Sequence, residues 1–115
     1  MQRIQYGELL EEDHQVTRER ERAALDRSIV LLEQANAPDA SSVKAAEAIA
    51  FTSKLWTVLV EDLANPDNGL PKQLRAQIVS IGIWILRDLE SARAGANHDF
   101  SDVVAVSKAI RDGLT

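Results

Sequence analysis

Apolar positions recur with the helical period of about 3.6 residues through most of the chain, and no segment keeps the two-residue alternation of a strand. The pattern predicts four main helices, near residues 14–36, 42–64, 71–94 and 102–112, after a short arm over residues 1–12. In the arm, Tyr6, Leu9 and Leu10 make one small apolar stripe, too short for a stable helix by itself. The first long helix should be capped by Asp13 or Thr17 and bury Leu25, Ile29 and Leu32. Its early part, Arg18 to Arg22, is a mixed charge run that reads as a solvated face. Pro38 lies just past its end. The second helix should begin at Ser41 or Ser42 and stop before Asn65-Pro66, because proline disfavours helix in the residue before it.

The loop Asn65 to Gly69 should use Asn68 or Gly69 for a positive φ. Pro71 is then expected as the first residue of the third helix, where a missing N–H is harmless. That helix should end at Gly95, with Arg93 near the negative end of its dipole. The fourth should be capped by Ser101, carry Asp102 in its first turn, and bury Val103, Val106, Ile110 and Leu114.

Projected on helical wheels, the two central helices carry more apolar surface than one face can hold. On the second, Ala45, Ile49, Thr52, Trp56, Leu59, Val60 and Leu63 share the core face, opposite Glu47, Lys54 and Glu61. Phe51 and Val58 fall about 110–130° away from it, bridged back by Leu55. On the third, Leu74, Ile78, Ile81, Ile85 and Leu89 share a face, while Ile83 lies among polar residues and Trp84 about 100° off centre. Two readings stand. Both helices are central and buried on two sides, or Phe51, Leu55, Val58, Ile83 and Trp84 partly line a groove for a partner helix. Gly82, costly inside a helix, points to close approach of a neighbouring helix against Trp56.

Composition narrows the field further. A chain of 115 residues forms one all-α domain, a bundle over 13–115 with its arm, and the 4% aromatic content favours helices over a sandwich. The chain has no cysteine, which excludes disulfides and thiolate metal sites and fits a cytoplasmic protein. The longest apolar run, Ile78 to Leu86, falls well short of the about 20 residues of a membrane span, and the acidic N-terminus lacks a signal-peptide core. A net charge of −5 argues against direct nucleic-acid binding.

No constellation for catalysis emerges. His14 and His98 each stand beside a single aspartate, far from a ligand set. Glu61 and Asp62 are adjacent and diverge on a helix. Ser41, Ser42 and Ser101 read as caps, and there is no glycine-rich phosphate loop. The expectation is a protein that is not an enzyme and takes no metal or cofactor.

Certain short segments follow one another in a distinctive order: Leu55-Trp56, Glu61-Asp62-Leu63, Asn68 with Leu70-Pro71, Leu74-Arg75, Ser80 to Trp84, and Arg111-Asp112-Gly113. Each is ordinary helix chemistry alone. Their succession resembles the FlaF family of alphaproteobacterial flagellar biosynthesis proteins, from about Tyr6 to the end. The resemblance implies a flagellin chaperone and assembly regulator acting alongside FlbT, which controls translation of flagellin messenger. Flagellin's terminal segments are amphipathic helices that stay unpaired until the filament forms, and an apolar groove would cover them. Two other readings remain: a regulator of translation working through FlbT or messenger RNA, and a structural dimerisation module.

Overall fold

The computed structural model describes residues 4–95 and 98–113, with side chains from residue 16 onward. Four helices account for nearly all of it: α1 (Ile4–Ala35), α2 (Ser42–Ala64), α3 (Lys72–Ala94) and α4 (Ser101–Gly113), with no strand among the described residues. The all-α expectation holds, and three of the four helices lie within a residue or two of their predicted spans.

The exception is α1. It begins at Ile4 and runs unbroken through the residues expected as a separate arm and through Asp13 and Thr17, the expected caps. No proline interrupts residues 4–35, and Glu, Arg, Leu and Ala dominate them. A cap contributes only about 1 kcal/mol, too little to stop a helix whose next residues also favour the helical state. Where Tyr6, Leu9, Leu10 and His14 point lies outside the described residues.

The boundaries of α2 follow local chemistry. The Ser41 side chain accepts the Lys44 N–H at 3.3 Å, and Asn65, ahead of Pro66, leaves the helix in an extended conformation. Pro71 sits one residue earlier than expected. It is the N-cap of α3 rather than its first helical residue, with ψ at 142°, and its carbonyl accepts the Arg75 N–H at 3.0 Å. The loop between α2 and α3 has no left-handed residue at Gly69; asparagine side chains shape it instead. Asn65 Oδ1 accepts the Asp67 N–H, and Asn68 Oδ1 accepts the Leu70 N–H, two Asx turns in succession.

Arg75 then ties the loop to both helices. Its guanidinium donates to the carbonyls of Leu63, Asn65 and Leu70, at 3.2, 3.1 and 3.1 Å, satisfying acceptors that the end of α2 leaves open.

The cap of α4 also differs from expectation. Asp99 is the acceptor in place of Ser101: the Ser101 N–H and hydroxyl both donate to it, at 2.9 and 2.5 Å, while the Ser101 hydroxyl oxygen accepts from Asn36 Nδ2, at 3.3 Å. Asn36, at the end of α1, donates to the same carboxylate and accepts the Phe100 N–H at 2.9 Å. The Ser101 hydroxyl and backbone bonds, with Asn36 adding a smaller effect, hold the Asp99 carboxyl below the usual range. The end of α1 is thereby pinned to the start of α4.

Helix α2 packs on both α1 and α3, and α1 packs on α4, so the layers run α3, α2, α1, α4. Leu25, Leu32, Trp56, Ile85, Leu89 and Val103 are fully buried at the centre, with Phe100 sealing the α4 end. Ile78 and Ile81, expected in the centre with Ile85, are half-buried at its edge, and Leu74 is exposed. Extensive packing on α3 comes from α2 alone, so the α3 face turned from α2 is only partly covered. Gly82 is where the α2–α3 pair closes. A methyl carbon there would lie 2.6 Å from Val60 Cγ2 and 2.9 Å from Trp56 Cε3, which is the close approach its position predicted.

Candidate functional site

The five residues proposed as partner contacts separate into two groups. Phe51 and Leu55 are half-buried and pack on the core; Val58, Ile83 and Trp84 are 56%, 40% and 41% exposed. Burial on two sides therefore describes Phe51 and Leu55 but not the other three.

Helix geometry shows which of them can act together. Gly82 faces Trp56 and Val60, which marks the sides of α2 and α3 that face each other. At about 100° per residue, Val58 points well away from α3, and Trp84, two residues past Gly82, points away from α2. Val58 with Leu55 and Phe51 thus forms one stripe along α2, while Trp84 occupies the far side of α3. Ile83 lies between these two directions. The two helices present these residues on separate faces rather than in one groove.

A recess that the sequence did not reveal lies at the hairpin end of the bundle. It encloses about 270 Å³, and all four helices contribute to it. Its lining joins core residues such as Trp56 and Leu59 to polar residues of α1 and of the α2–α3 loop. Glu21, read from sequence as part of a solvated charge run, is half-buried there. Burial pushes its carboxyl up; the nearby Asp62 carboxylate adds to this, and Arg18 opposes it. Asp62 is held in turn by Asn68, whose Nδ2 donates to its carboxylate at 3.1 Å and to its backbone carbonyl at 3.3 Å. From sequence, Asn68 stood out as a turn residue and Asp62 as half of a diverging carboxylate pair, besides their place in the family-like order of segments, and none of these signals joined them to Glu21. For Glu21 there was no local signal, because Asp62 reaches it only through the packing of α1 on α2.

Three side-chain polar atoms are buried without a hydrogen-bond partner among the described residues: Thr52 Oγ1, Trp56 Nε1 and Ser107 Oγ. His98 Nε2 lies 2.9 Å from the Asp88 carboxylate, with its ring 5.2 Å from that of Phe100. This is a structural contact that fastens the α3–α4 connection. Among the described residues no three His, Cys, Asp or Glu side chains gather as metal ligands, and no helix is long and apolar enough to cross a membrane.

In comparisons with known proteins, the family model described as flagellar protein FlaF matches residues 2–114. No curated protein and no solved structure matches the chain.

Proposed function

The chain belongs to the FlaF family of flagellar proteins, and from that premise we propose that it binds flagellin in the cytoplasm as a secretion chaperone. In this reading it covers flagellin's unpaired amphipathic helices until export, and so governs flagellin production and filament assembly. It acts by binding and not by catalysis. The observation that carries the proposal is a family match across essentially the whole chain. Supporting it, a bundle of this size exposes Val58, Ile83 and Trp84, and aromatic and large apolar side chains suit capture of an amphipathic helix.

The test is a titration of purified flagellin into the wild-type protein and into Val58→Asp and Ile83→Asp, with circular dichroism of each. Both positions are solvent-exposed, so the variants should keep their stability to within about 0.5 kcal/mol. Binding of the wild type should persist in moderate salt, because apolar burial is screened far less than phosphate contacts. Loss of flagellin affinity in folded Val58→Asp or Ile83→Asp locates the contact. A folded wild-type protein that ignores flagellin, yet binds messenger RNA with steep salt dependence or binds FlbT, would replace this reading with translational control.

A further inference from the structure

The recess at the hairpin end has an apolar floor and an acidic rim. Leu25, Leu59, Ile78 and Ile110, one from each helix, form the floor, and Trp56 closes it. On the rim stand the carboxylates of Glu21, Asp62 and Asp67, against the single guanidinium of Arg18 among the lining residues.

Trp56 supplies a second and independent feature. It is fully buried, and its indole N–H has no acceptor among the described residues. A buried donor left unpaired is costly, so such groups are rare in folded proteins. The Cε3 and Cζ3 atoms of the indole face Gly82 of α3. In an indole the nitrogen lies across the ring system from those two atoms. The N–H therefore lies on the side of the indole away from Gly82, and Trp56 itself is among the residues that line the recess.

We propose that this recess is a docking site for a basic amphipathic helix of a partner protein. An apolar side chain would rest on the Leu25, Leu59, Ile78 and Ile110 floor, a carbonyl oxygen of the helix's last turn, which has no intrahelical donor, would accept the Trp56 indole N–H, and a lysine or arginine would sit between Glu21 and Asp62. The cation is required by charge: the rim carries more carboxylate than guanidinium, and burial and Asp62 together already push the Glu21 carboxyl up. A partner's cation relieves that repulsion and satisfies both acids. Keeping an acid that opposes folding is a common mark of a working surface. That the occupant is a helix, rather than a small apolar cation, rests on the proposed function. The indole nitrogen is itself enclosed, so docking must widen the recess slightly, and the experiment reads this directly.

The chain has two tryptophans, Trp56 at the recess and Trp84 exposed on the outer side of α3, so the two indoles distinguish docking at the recess from docking on that face. The probe is a synthetic Leu/Lys amphipathic peptide of about 18 residues, long enough to hold a helix, with a Leu/Glu peptide of equal length beside it. Indole N–H resonances are followed by NMR in the full-length protein. The Leu/Lys peptide should move the Trp56 resonance and slow its hydrogen exchange, whether or not Trp84 also responds. The Leu/Glu peptide should do none of this. Glu21→Lys should weaken Leu/Lys binding by about tenfold or more; Asp67→Lys, on the exposed loop, is a second rim variant in case the first fails to fold.

The proposal is overturned if the Leu/Lys peptide does not bind, if it moves Trp84 and not Trp56, or if the rim variants bind it as tightly as the wild type. It is equally overturned if the Leu/Glu peptide binds as well, or if dilution alone moves Trp56, which would make a second copy of the chain the occupant. Flagellin that binds without disturbing Trp56 sinks the site and leaves the proposed function standing. A Leu/Lys peptide that docks at Trp56, in a protein that ignores flagellin, does the reverse.

Discussion

Gly82→Ala sets two known effects against each other, and the structure decides which prevails. Inside a helix, glycine costs about 1 kcal/mol relative to alanine, so propensity alone predicts stabilisation by that amount. At position 82, however, the new methyl would lie 2.6 Å from Val60 Cγ2, 2.9 Å from Trp56 Cε3 and 3.2 Å from Trp56 Cζ3, against a comfortable separation of about 3.5–4.0 Å. Neither neighbour can step aside easily. Val60 is β-branched and on a helix has essentially one χ1 rotamer. Trp56 is fully buried in the centre of the core. The methyl must be accommodated by separating α2 from α3, and overpacking of this kind costs about 1–3 kcal/mol. The net expectation is a loss of up to about 2 kcal/mol in place of the gain of about 1 kcal/mol, visible in urea denaturation as a lower midpoint with an unchanged slope.

A double-mutant cycle isolates the cause. Val60→Ala removes the methyl at 2.6 Å, so Gly82→Ala should do less harm on that background than in the wild type, a coupling of about 1 kcal/mol. The reasoning fails if Gly82→Ala alone stabilises the protein by about 1 kcal/mol, since propensity would then have met no opposition from the α2–α3 contact.

Two further outcomes follow from the hook and the rim. Arg75→Lys should cost about 1.5–3 kcal/mol, because an ammonium cannot reach the three carbonyls that the guanidinium bridges; an unchanged denaturation midpoint would show that the hook does not hold the hairpin. The raised Glu21 pKa means that the folded state binds that proton more tightly than the unfolded state. Its stabilising contribution is complete below the ordinary value of 4.5 and disappears as pH rises through the folded pKa. Glu21→Gln should therefore melt at a higher temperature than wild type near pH 7 and lose that advantage near pH 4; equal melting temperatures at both values would remove the burial argument.

Those features that depend on neighbours in sequence were legible from the chain alone. Helical periodicity, Pro66 and Pro71, and the Ser41 cap bound α2 and α3, because each acts within about one helical turn. The need for glycine at 82 was legible too, since a residue so costly inside a helix implies a contact that excludes a side chain. The order of short segments was enough to point to the family that residues 2–114 match.

What only the tertiary structure decided is which helix covers which apolar face. Periodicity marked Leu74, Ile78, Ile81, Ile85 and Leu89 as one stripe, yet only Ile85 and Leu89 are central and Leu74 is exposed, because extensive cover for α3 comes from α2 alone. It marked Phe51, Leu55, Val58, Ile83 and Trp84 as off-face, but the rotation set by the Gly82 contact turns Val58 and Trp84 away from each other. The Asp99 cap depends on Asn36, 63 residues away, and the character of Glu21 depends on Asp62 across the α1–α2 packing. A helical wheel specifies an angle around one axis. It carries no information about the distance to another axis, and burial, pKa and cleft shape depend on that distance.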